Sequence, residues 1–432
     1  MDNLTVDVIG IGVGPFNLGL AALLDEKTEL SSYFFDESEE FDWHPGMLLE
    51  HADLQVPFLA DLVTFANPKS RYSFLNYLHT KNRLYKFYFY RKFDIPRKEY
   101  NDYARWVVKQ LPHCVFKSQV IDVIDKDGYY EVHVNHWDIS ERKTYYAKNI
   151  IMGTGSKPLL LKGADGLPKE DVHHSSDYLY HKPTTVQGKS ITVIGSGQSA
   201  AEIFYDLLQE MDTHDFQLTW FTRSPGIFQL DESKLGQEVF TPDYVDYFHQ
   251  LPFAERMEAL QHLKQLRKGI EGTTLTNIYH YLYDKSIDNE HIPVSIQPLT
   301  ELEDIQENGG EYTLACHQWE LKKRFTHNSE KVILATGYQP HIPDWFTNRF
   351  RDKIEWEDDK HFKVTDNYQL QFKEAGRERE HHFYTLTNLD HAYGSGATNL
   401  ALSVNRNIQI INDIAGEGIY PMQRDTSFSQ FF

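Results

Sequence analysis

Three glycines at alternate positions, Gly10, Gly12 and Gly14, follow a short apolar run and precede a stretch with helical periodicity. A second apolar run then ends on Asp36. Glycines in such a turn let the backbone approach a pyrophosphate, the helix N-terminus faces the phosphates, and the acid can bind ribose hydroxyls. A glycine triplet alone also occurs in ordinary strand-to-helix turns. The full order of strand, glycine turn, helix, strand and acid favours a dinucleotide-binding βαβ unit.

A second glycine turn occupies residues 195–199, again between an apolar run and a helical stretch. The strand expected after it ends at Arg223 and carries no acid. An arginine there can pair with the 2′-phosphate of NADP, whereas an acid would favour NAD. The alternative is an arginine on the surface. Two nucleotide sites in one chain indicate electron transfer between two cofactors, and we expect FAD at the first site and NADPH at the second.

Aromatic and sulfur side chains follow the first unit, in the run from Trp43 and His44 to Met47, with Pro and Gly between them. Such residues could line one face of a flat ring system. The alternative is ordinary packing within a loop.

The net charge and the cysteine content limit the possible partners and the cellular compartment. The formal net charge of −20 argues against nucleic acid and against an anionic membrane, because both reward a basic surface. Cys114 and Cys316 lie far apart without metal-binding or redox spacing, so we expect no zinc site, no disulfide framework and a reducing cytoplasm. We also expect no signal peptide and no membrane span, since no long apolar run occurs.

The elements that must position these motifs define an α/β fold with two Rossmann-like dinucleotide-binding domains and a smaller, mostly helical substrate insertion. The FAD domain is expected to comprise residues 1–185 and 331–432. The NADPH domain is expected to comprise 186–230 and 291–330, and the insertion 231–290. The patterns predict strands near 6–9, 33–35, 191–194, 218–221, 331–334 and 383–384, β-like alternation over 115–151, and helices near 18–24, 72–111, 203–208 and 398–414.

Together these motifs resemble the flavin-dependent N-hydroxylating monooxygenases of siderophore pathways, the lysine and ornithine N-monooxygenases. The resemblance covers nearly the whole chain, and its most specific part is the Trp-His-Pro-Gly-Met run after an FAD fingerprint. It implies reduction of FAD by NADPH, formation of a flavin hydroperoxide with O2, and oxygen transfer to a primary amine. It also implies a homo-oligomer, often a tetramer. The matching segments are residues 10–18, 43–47, 76–78, 195–200 and 335–338.

Site residues are carried over by position, and no metal is expected. Met47 and Gln55 resemble the flavin contacts nearest the chemistry. Ser199 and its neighbours match the NADPH loop, and Arg223 matches an arginine on the 2′-phosphate. The residues expected to bind the cofactors are Gly10, Gly12, Gly14, Pro15, Asp36, Trp43, His44, Met47 and Gln55 for FAD, with Gly195, Ser196, Gly197, Gln198, Ser199, Arg223, Thr336, Gly337 and Tyr338.

Three positions depart from the amino-acid hydroxylases of this family. A lysine that pairs with the substrate carboxylate is replaced by Ala60, an asparagine by Gln237, and a serine near the last helix by Ala401. Losing a buried cation would leave a carboxylate unpaired, at a cost of about several kcal/mol. We therefore predict a substrate without a carboxylate, an aliphatic diamine such as putrescine or cadaverine. Glu238 or Asp390 could face its distal ammonium, although both acids could equally be structural or solvent-exposed.

Other interpretations stay open. Histamine is the next choice within the same chemistry, and lysine or ornithine could be the amine if a lysine or arginine from elsewhere in the chain covers Ala60. A pyridine nucleotide–disulfide reductase would need a reactive cysteine pair, which this chain lacks. The segment 174–178 between the two nucleotide sites only loosely resembles the linker motif of the Baeyer–Villiger oxygenases. A flavoprotein that senses dinucleotides without catalysis is the alternative of a different class.

Overall fold

The computed structural model describes residues 5–50, 52–288, 291–373 and 379–431. The strands are β1 Thr5–Ile11, β2 Ser32–Phe35, β3 Asp53–Pro57, β4 Asp94–Pro96, β5 Cys114–Val115, β6 Ser118–Asp125, β7 Tyr130–His136, β8 Glu141–Met152, β9 Ser156–Pro158, β10 Val172–His174, β11 Ser190–Ile194, β12 Gln217–Phe221, β13 Val294–Gln297, β14 Thr300–Asn308, β15 Glu311–Gln318, β16 Lys323–Ser329, β17 Lys331–Leu334, β18 Tyr338–Pro340 and β19 His382–Thr385. The helices are α1 Pro15–Lys27, α2 Phe74–Thr80, α3 Leu84–Tyr90, α4 Arg97–Val108, α5 Tyr178–Thr185, α6 Gln198–Glu210, α7 Pro242–Gln250, α8 Phe253–His262, α9 Gly272–Asp288, α10 Asp344–Phe350, α11 Asp390–Tyr393 and α12 Leu400–Ala415.

The first sheet has the strand order β5-β2-β1-β8-β7-β6, and β19 also pairs with β8. Its parallel core is apolar on both faces: Val8, Ile9 and Ile150 are fully buried. Strands buried on both faces read as continuous apolar runs, which is why the pattern of β1 was recognisable. Helices α1 and α12 pack against each other beside this sheet. The glycine turn after β1 therefore lies at the centre of the sheet.

The second sheet is parallel throughout, in the order β10-β17-β11-β12-β13. Strand β11 lies at its centre, so the turn at residues 195–199 again occupies the carboxyl end of a central strand. Strands β14, β15 and β16 form a separate antiparallel sheet. An α/β architecture with two nucleotide-binding sheets is confirmed by this topology.

The strand pairing differs from the boundaries drawn from the sequence. Strands β10 and β17 fall within 1–185 and 331–432, the ranges assigned to the FAD domain, yet both belong to the second sheet. Ile191 pairs with Lys331 across about 140 residues, and such a register leaves no trace in local periodicity. A strand predicted at the right position can thus belong to a sheet that its place in the sequence does not indicate.

The segment 231–290 is mostly helical, as expected, with α7, α8 and α9 and two short 3₁₀ turns, Gly236–Phe240 and Lys264–Leu266. Pro242 begins α7 and Pro252 directly precedes α8, so both prolines mark helix starts. Among the described residues, no helix is long and apolar enough to cross a membrane.

Candidate active site

The turn after β1 has a shape that only glycine permits at one position. Gly12 has φ +87°, and a Cβ there would lie 2.5 Å from the carbonyl oxygen of Gly153. At Gly14, no heavy atom lies within 4 Å of the position a Cβ would take. The side-chain amide of Asn17 donates to the Gly12 carbonyl oxygen at 2.7 Å. The turn is therefore packed against the protein at Gly12 and open at Gly14, next to the N-terminus of α1. This is the cradle that a pyrophosphate requires.

Asp36 holds the same turn from the end of β2. Its Oδ2 accepts the backbone N–H of Val13 at 2.6 Å, and its Oδ1 accepts the backbone N–H of Ser38 at 2.8 Å. A carboxylate oxygen has two lone pairs, so Oδ2 retains capacity for a further donor. Asp36 thus fits the predicted contact with a ribose hydroxyl.

The turn after β11 repeats this geometry. A Cβ on Gly195 would lie 2.3 Å from the Ala335 carbonyl oxygen, whereas the Cβ position of Gly197 is open. The indole N–H of Trp220 donates to the Gly195 carbonyl oxygen at 2.8 Å. Ser196 and Ser199 lie in this turn and in the first turn of α6. A second open helix N-terminus is the result, and it fits the second dinucleotide.

Gln198 connects this turn to the helical insertion. Its Nε2 donates to Thr274 Oγ1 at 3.1 Å, and its Oε1 accepts the backbone N–H of Glu271 at 2.9 Å. The same Nε2 donates to Glu202 one turn later in α6 at 3.0 Å. A residue predicted to contact NADPH thus also fixes the start of α9.

A buried ion pair between Arg97 on α4 and Glu202 on α6 links helices beside the two sheets, and sequence reasoning missed both residues. Arg97, which begins α4, pairs with both carboxylate oxygens of Glu202 at 3.0 and 2.8 Å, and both side chains are largely buried. Arg97 also donates to the backbone carbonyl oxygen of Met47 at 2.8 Å. The only sequence signal was an acid inside the otherwise apolar face of α6, beside Ile203.

The aromatic run after β2 packs as a unit. The Trp43 ring lies 4.9 Å from the His44 ring and 5.2 Å from Tyr100, and His44 lies 5.8 Å from Tyr338. Burial, with a smaller contribution from the charge of Arg97, lowers the pKa of His44 to about 4. His44 is therefore neutral at physiological pH. Met47 is 3% exposed.

The segment Thr336–Tyr338 reaches the same place from the second sheet. Thr336 Oγ1 donates to the Leu159 carbonyl oxygen at 2.5 Å, and the Gly337 carbonyl oxygen accepts from Leu159 N–H at 2.9 Å. The His174 ring contacts Tyr338 edge-on at 5.0 Å. The structure thus brings Trp43, His44 and Tyr338 together, as a shared cofactor surface would require.

Gln55 and Arg223 are among the predicted cofactor residues whose side chains are exposed. Gln55 lies in β3 with its side chain in solvent. Arg223 follows β12, its side chain is 72% exposed, and its nearest acid is Glu301 at 3.6 Å. A side chain with one weak ion pair is available for a phosphate, so the geometry fits the predicted 2′-phosphate contact.

Ala60 is 4% exposed, and hydrogen bonds hold the loop around it. Its N–H donates to the Pro57 carbonyl oxygen at 2.8 Å. The neighbouring Asp61 is also buried and accepts the N–H groups of Val63 and Phe74 at 2.9 and 2.7 Å. Burial raises the pKa of Asp61 despite these bonds.

The other predicted substrate residues lie around α7, α11 and α12. Gln237 is exposed in the 3₁₀ turn Gly236–Phe240, and Ala401 is half-buried in the first turn of α12. Glu238 accepts the N–H groups of Phe428 and Ser429, and Asp390 pairs with Arg267. Both carboxylates already have partners within the chain. Their contact with a substrate ammonium stays a prediction.

The fold and the site define a protein with two dinucleotide cradles, and the cysteines exclude one class of such proteins. Cys114 and Cys316 are buried, unpaired and on different sheets, so they cannot form the dithiol of a disulfide reductase. The family model of the L-lysine 6-monooxygenase/L-ornithine 5-monooxygenases matches residues 4–340. The chain belongs to this family.

Individual relatives match this chain over nearly its whole length. A putrescine N-hydroxylase of Acinetobacter baumannii is 39% identical over 98% of this chain and 93% of its own, and one of Shewanella oneidensis is 38% identical over 100% and 85%. The FAD-bound cadaverine monooxygenase of the desferrioxamine pathway of Erwinia amylovora superposes with a TM-score of 0.93 at 36% identity, covering 100% and 99% of the two chains.

A Kutzneria ornithine N-hydroxylase with reduced FAD, NADP⁺ and L-ornithine has a TM-score of 0.87 at 26% identity, covering 96% and 99% of the two chains. The chain is thus a flavin-dependent N-hydroxylating monooxygenase that uses FAD and NADPH.

Proposed function

We propose that this enzyme hydroxylates one primary amine of an aliphatic diamine, putrescine or cadaverine, in the biosynthesis of a hydroxamate siderophore. The observation that carries the proposal is the buried Ala60 where amino-acid hydroxylases of the family place a lysine. The putrescine N-hydroxylases and the cadaverine monooxygenase named above support the same substrate class.

The physical argument concerns the far end of the substrate. An amino acid would bring a carboxylate next to Ala60 and the buried Asp61, where an unpaired anion costs about several kcal/mol. A diamine brings a second amine instead, which a nearby acid tolerates. The polarity of the site therefore favours diamines over amino acids.

The chain's own residues bind, orient and exclude water. When bound, FAD supplies the oxygen-activating chemistry after reduction by NADPH. The open cradles at Gly14 and Gly197 would receive the two pyrophosphates, and Gln198 joins the second cradle to the insertion. The Arg97–Glu202 pair fixes the backbone at Met47 against α6. By holding the buried Met47 in place, these contacts would help to exclude water from the bound flavin.

A hydroxylamine assay on a panel of amines tests the proposal. Putrescine and cadaverine should give a kcat/KM at least about tenfold above lysine, ornithine and histamine, the equivalent of about 1.4 kcal/mol. Ala60→Lys should shift the preference towards lysine and ornithine, because it restores a cation for the carboxylate. Ala60→Met, of similar length without the charge, is the matched control. Equal turnover of lysine and putrescine by the parent enzyme would contradict the diamine assignment.

We also propose that the enzyme works in the cytoplasm as a homotetramer. Two buried, unpaired cysteines support a reducing compartment. Self-association is supported by a surface of strongly exposed aromatic side chains around α3: Tyr85, Tyr88, Phe89 and Phe93. Light scattering on the purified enzyme, and on Tyr88→Glu, measures the oligomeric state. A monomeric parent enzyme would contradict the tetramer.

A further inference from the structure

The chain does not end freely after its last helix. Tyr420 is fully buried, and its hydroxyl donates to the carbonyl oxygen of Leu23 in α1 at 2.7 Å. Its backbone N–H donates to Asn412 Oδ1 at 3.0 Å, and its carbonyl oxygen accepts from Asn412 Nδ2 at 2.8 Å. Residues 421–431, which we call the C-terminal tail, therefore start from a fixed point beside α1 and α12.

The tail then crosses to the substrate insertion and binds two of its carboxylates. Asp243, in the first turn of α7, accepts the N–H and the hydroxyl of Thr426, the latter at 2.7 Å. Glu238 accepts the N–H groups of Phe428 at 2.9 Å and Ser429 at 2.8 Å, and the Ser429 hydroxyl as well. Bonds from N–H groups to a carboxylate are stronger than neutral ones. The tail has no regular secondary structure, so its position depends on these contacts.

Aromatic packing against α7 holds the last described residue of the tail. The Phe431 ring lies 5.0 Å from Tyr244 and 6.0 Å from Tyr247, both on α7. Phe428, three residues earlier, is 94% exposed. The same residue type thus occurs twice in the tail, once packed and once in solvent.

The opposite side of α7 faces the segment that leads into α12. The His249 ring stacks on Tyr393 at 4.9 Å, and its Nδ1 lies 3.2 Å from the Ala392 carbonyl oxygen. A Cβ on Gly394 would lie 3.2 Å from the Phe248 ring. Helix α7 is therefore held between the tail and the residues that precede the half-buried Ala401.

We propose that the C-terminal tail is a positioning element for the amine substrate. By binding Glu238 and Asp243, it fixes the turn Gly236–Phe240, which carries Gln237, against the segment that begins α12. Without the tail, this turn would lose its outer support, and the position of Gln237 would no longer be fixed. The inference rests on the proposed amine hydroxylation but concerns residues that the reaction itself does not require.

The test compares Phe431→Ala with Phe428→Ala in the FAD-loaded enzyme. Phe431→Ala should raise the KM for putrescine at least about fivefold, the equivalent of roughly 1 kcal/mol, with kcat changed by less than about twofold. It should also lower the ratio of hydroxylamine formed to NADPH oxidised. Amide hydrogen exchange in residues 236–250 should quicken at the same time. Phe428→Ala should match the parent in all three measurements, and Phe431→Tyr, which keeps a ring, should restore the parent values.

Each outcome has one meaning. If the parent enzyme hydroxylates diamines and Phe431→Ala leaves both KM and the product ratio unchanged, the positioning role is overturned while the proposed function stands. Faster exchange with unchanged kinetics also overturns it, since the contact is then only structural. If the parent enzyme hydroxylates no amine, the proposed function fails and the inference fails with it, whatever the exchange shows.

Discussion

The turn after β1 and the turn after β11 both require glycine where a Cβ would strike a carbonyl oxygen, at Gly12 and at Gly195. Beyond that backbone shape they are held differently. The first turn is closed from within by the carboxylate of Asp36, which bonds Val13. The second has no such acid and ends at the exposed Arg223. The first turn thus has a carboxylate that fits a ribose hydroxyl, and the second has an exposed cation that fits a phosphate.

The largest effect should come from the glycines. Gly12→Ala adds a Cβ at positive φ and 2.5 Å from a carbonyl oxygen, a strain of about 1–3 kcal/mol or more, so bound FAD should fall about tenfold. Gly195→Ala should leave FAD in place while NADPH no longer reduces it. Flavin absorbance per polypeptide and anaerobic reduction by NADPH distinguish the two. Equal FAD loss in both variants would remove the contrast between the turns.

Among the variants that act on stability rather than on cofactor binding, Glu202→Gln should have the largest effect, because it leaves Arg97 buried without a counter-charge. Breaking a buried ion pair costs about 3–5 kcal/mol, and this pair joins α4 beside the first sheet to α6 beside the second. Glu210→Gln on the same helix, where the pair with Lys182 is more exposed, should cost less than about 1 kcal/mol. Urea unfolding of both variants gives the two values. Similar losses of unfolding free energy in the two variants would show that the Arg97–Glu202 pair stabilises the fold no more than the exposed pair does.

Arg223→Ala should raise the KM for NADPH about tenfold and leave that for NADH unchanged, since only NADPH has a 2′-phosphate. The size corresponds to one charge-assisted contact of about 1.5 kcal/mol or more. Glu301→Gln removes the competing acid and should lower the KM for NADPH slightly. Steady-state kinetics with both nucleotides measure the ratio. An unchanged ratio in Arg223→Ala would show that another residue selects the phosphate.

The smallest effect concerns acid pH on the FAD side. The pKa of His44 is about 4 in the folded chain because of burial and Arg97, against about 6.5 when unfolded. The unfolded chain therefore binds the proton first, so stability is full above pH 6.5 and decreases as pH falls towards 4. Melting temperature measured from pH 7 to 4.5 should fall, and His44→Asn should flatten part of that slope. An identical slope in the variant would assign the acid sensitivity to other groups.

Much of the fold was readable because β1, β11 and their helices carry local periodicity. The glycine turns and the end of β12 at Arg223 followed from the same patterns. The sheet to which β17 belongs did not, since its partner β11 lies about 140 residues away. Local pattern fixes an element, whereas pairing depends on contacts that the sequence order does not show.

The site shows the same limit. Acids at Glu238 and Asp390 were predicted near the substrate, but their partners are distant in sequence: Ser429 for the first and Arg267 for the second. The Arg97–Glu202 pair joins residues 105 positions apart and was missed altogether. A charge that is satisfied across the fold looks, in the sequence, the same as one that is free.

The packing of α12 on α1 has a consequence for the order in which the chain gains its contacts. Asn407 donates to the carbonyl oxygen of Phe16, and Tyr420 bonds to Leu23, so the helix behind the first glycine turn is supported by residues synthesised almost 400 positions later. A nascent chain on the ribosome has the fingerprint long before it has that support. We therefore expect the helix behind this turn to gain its final support only after translation has passed residue 420.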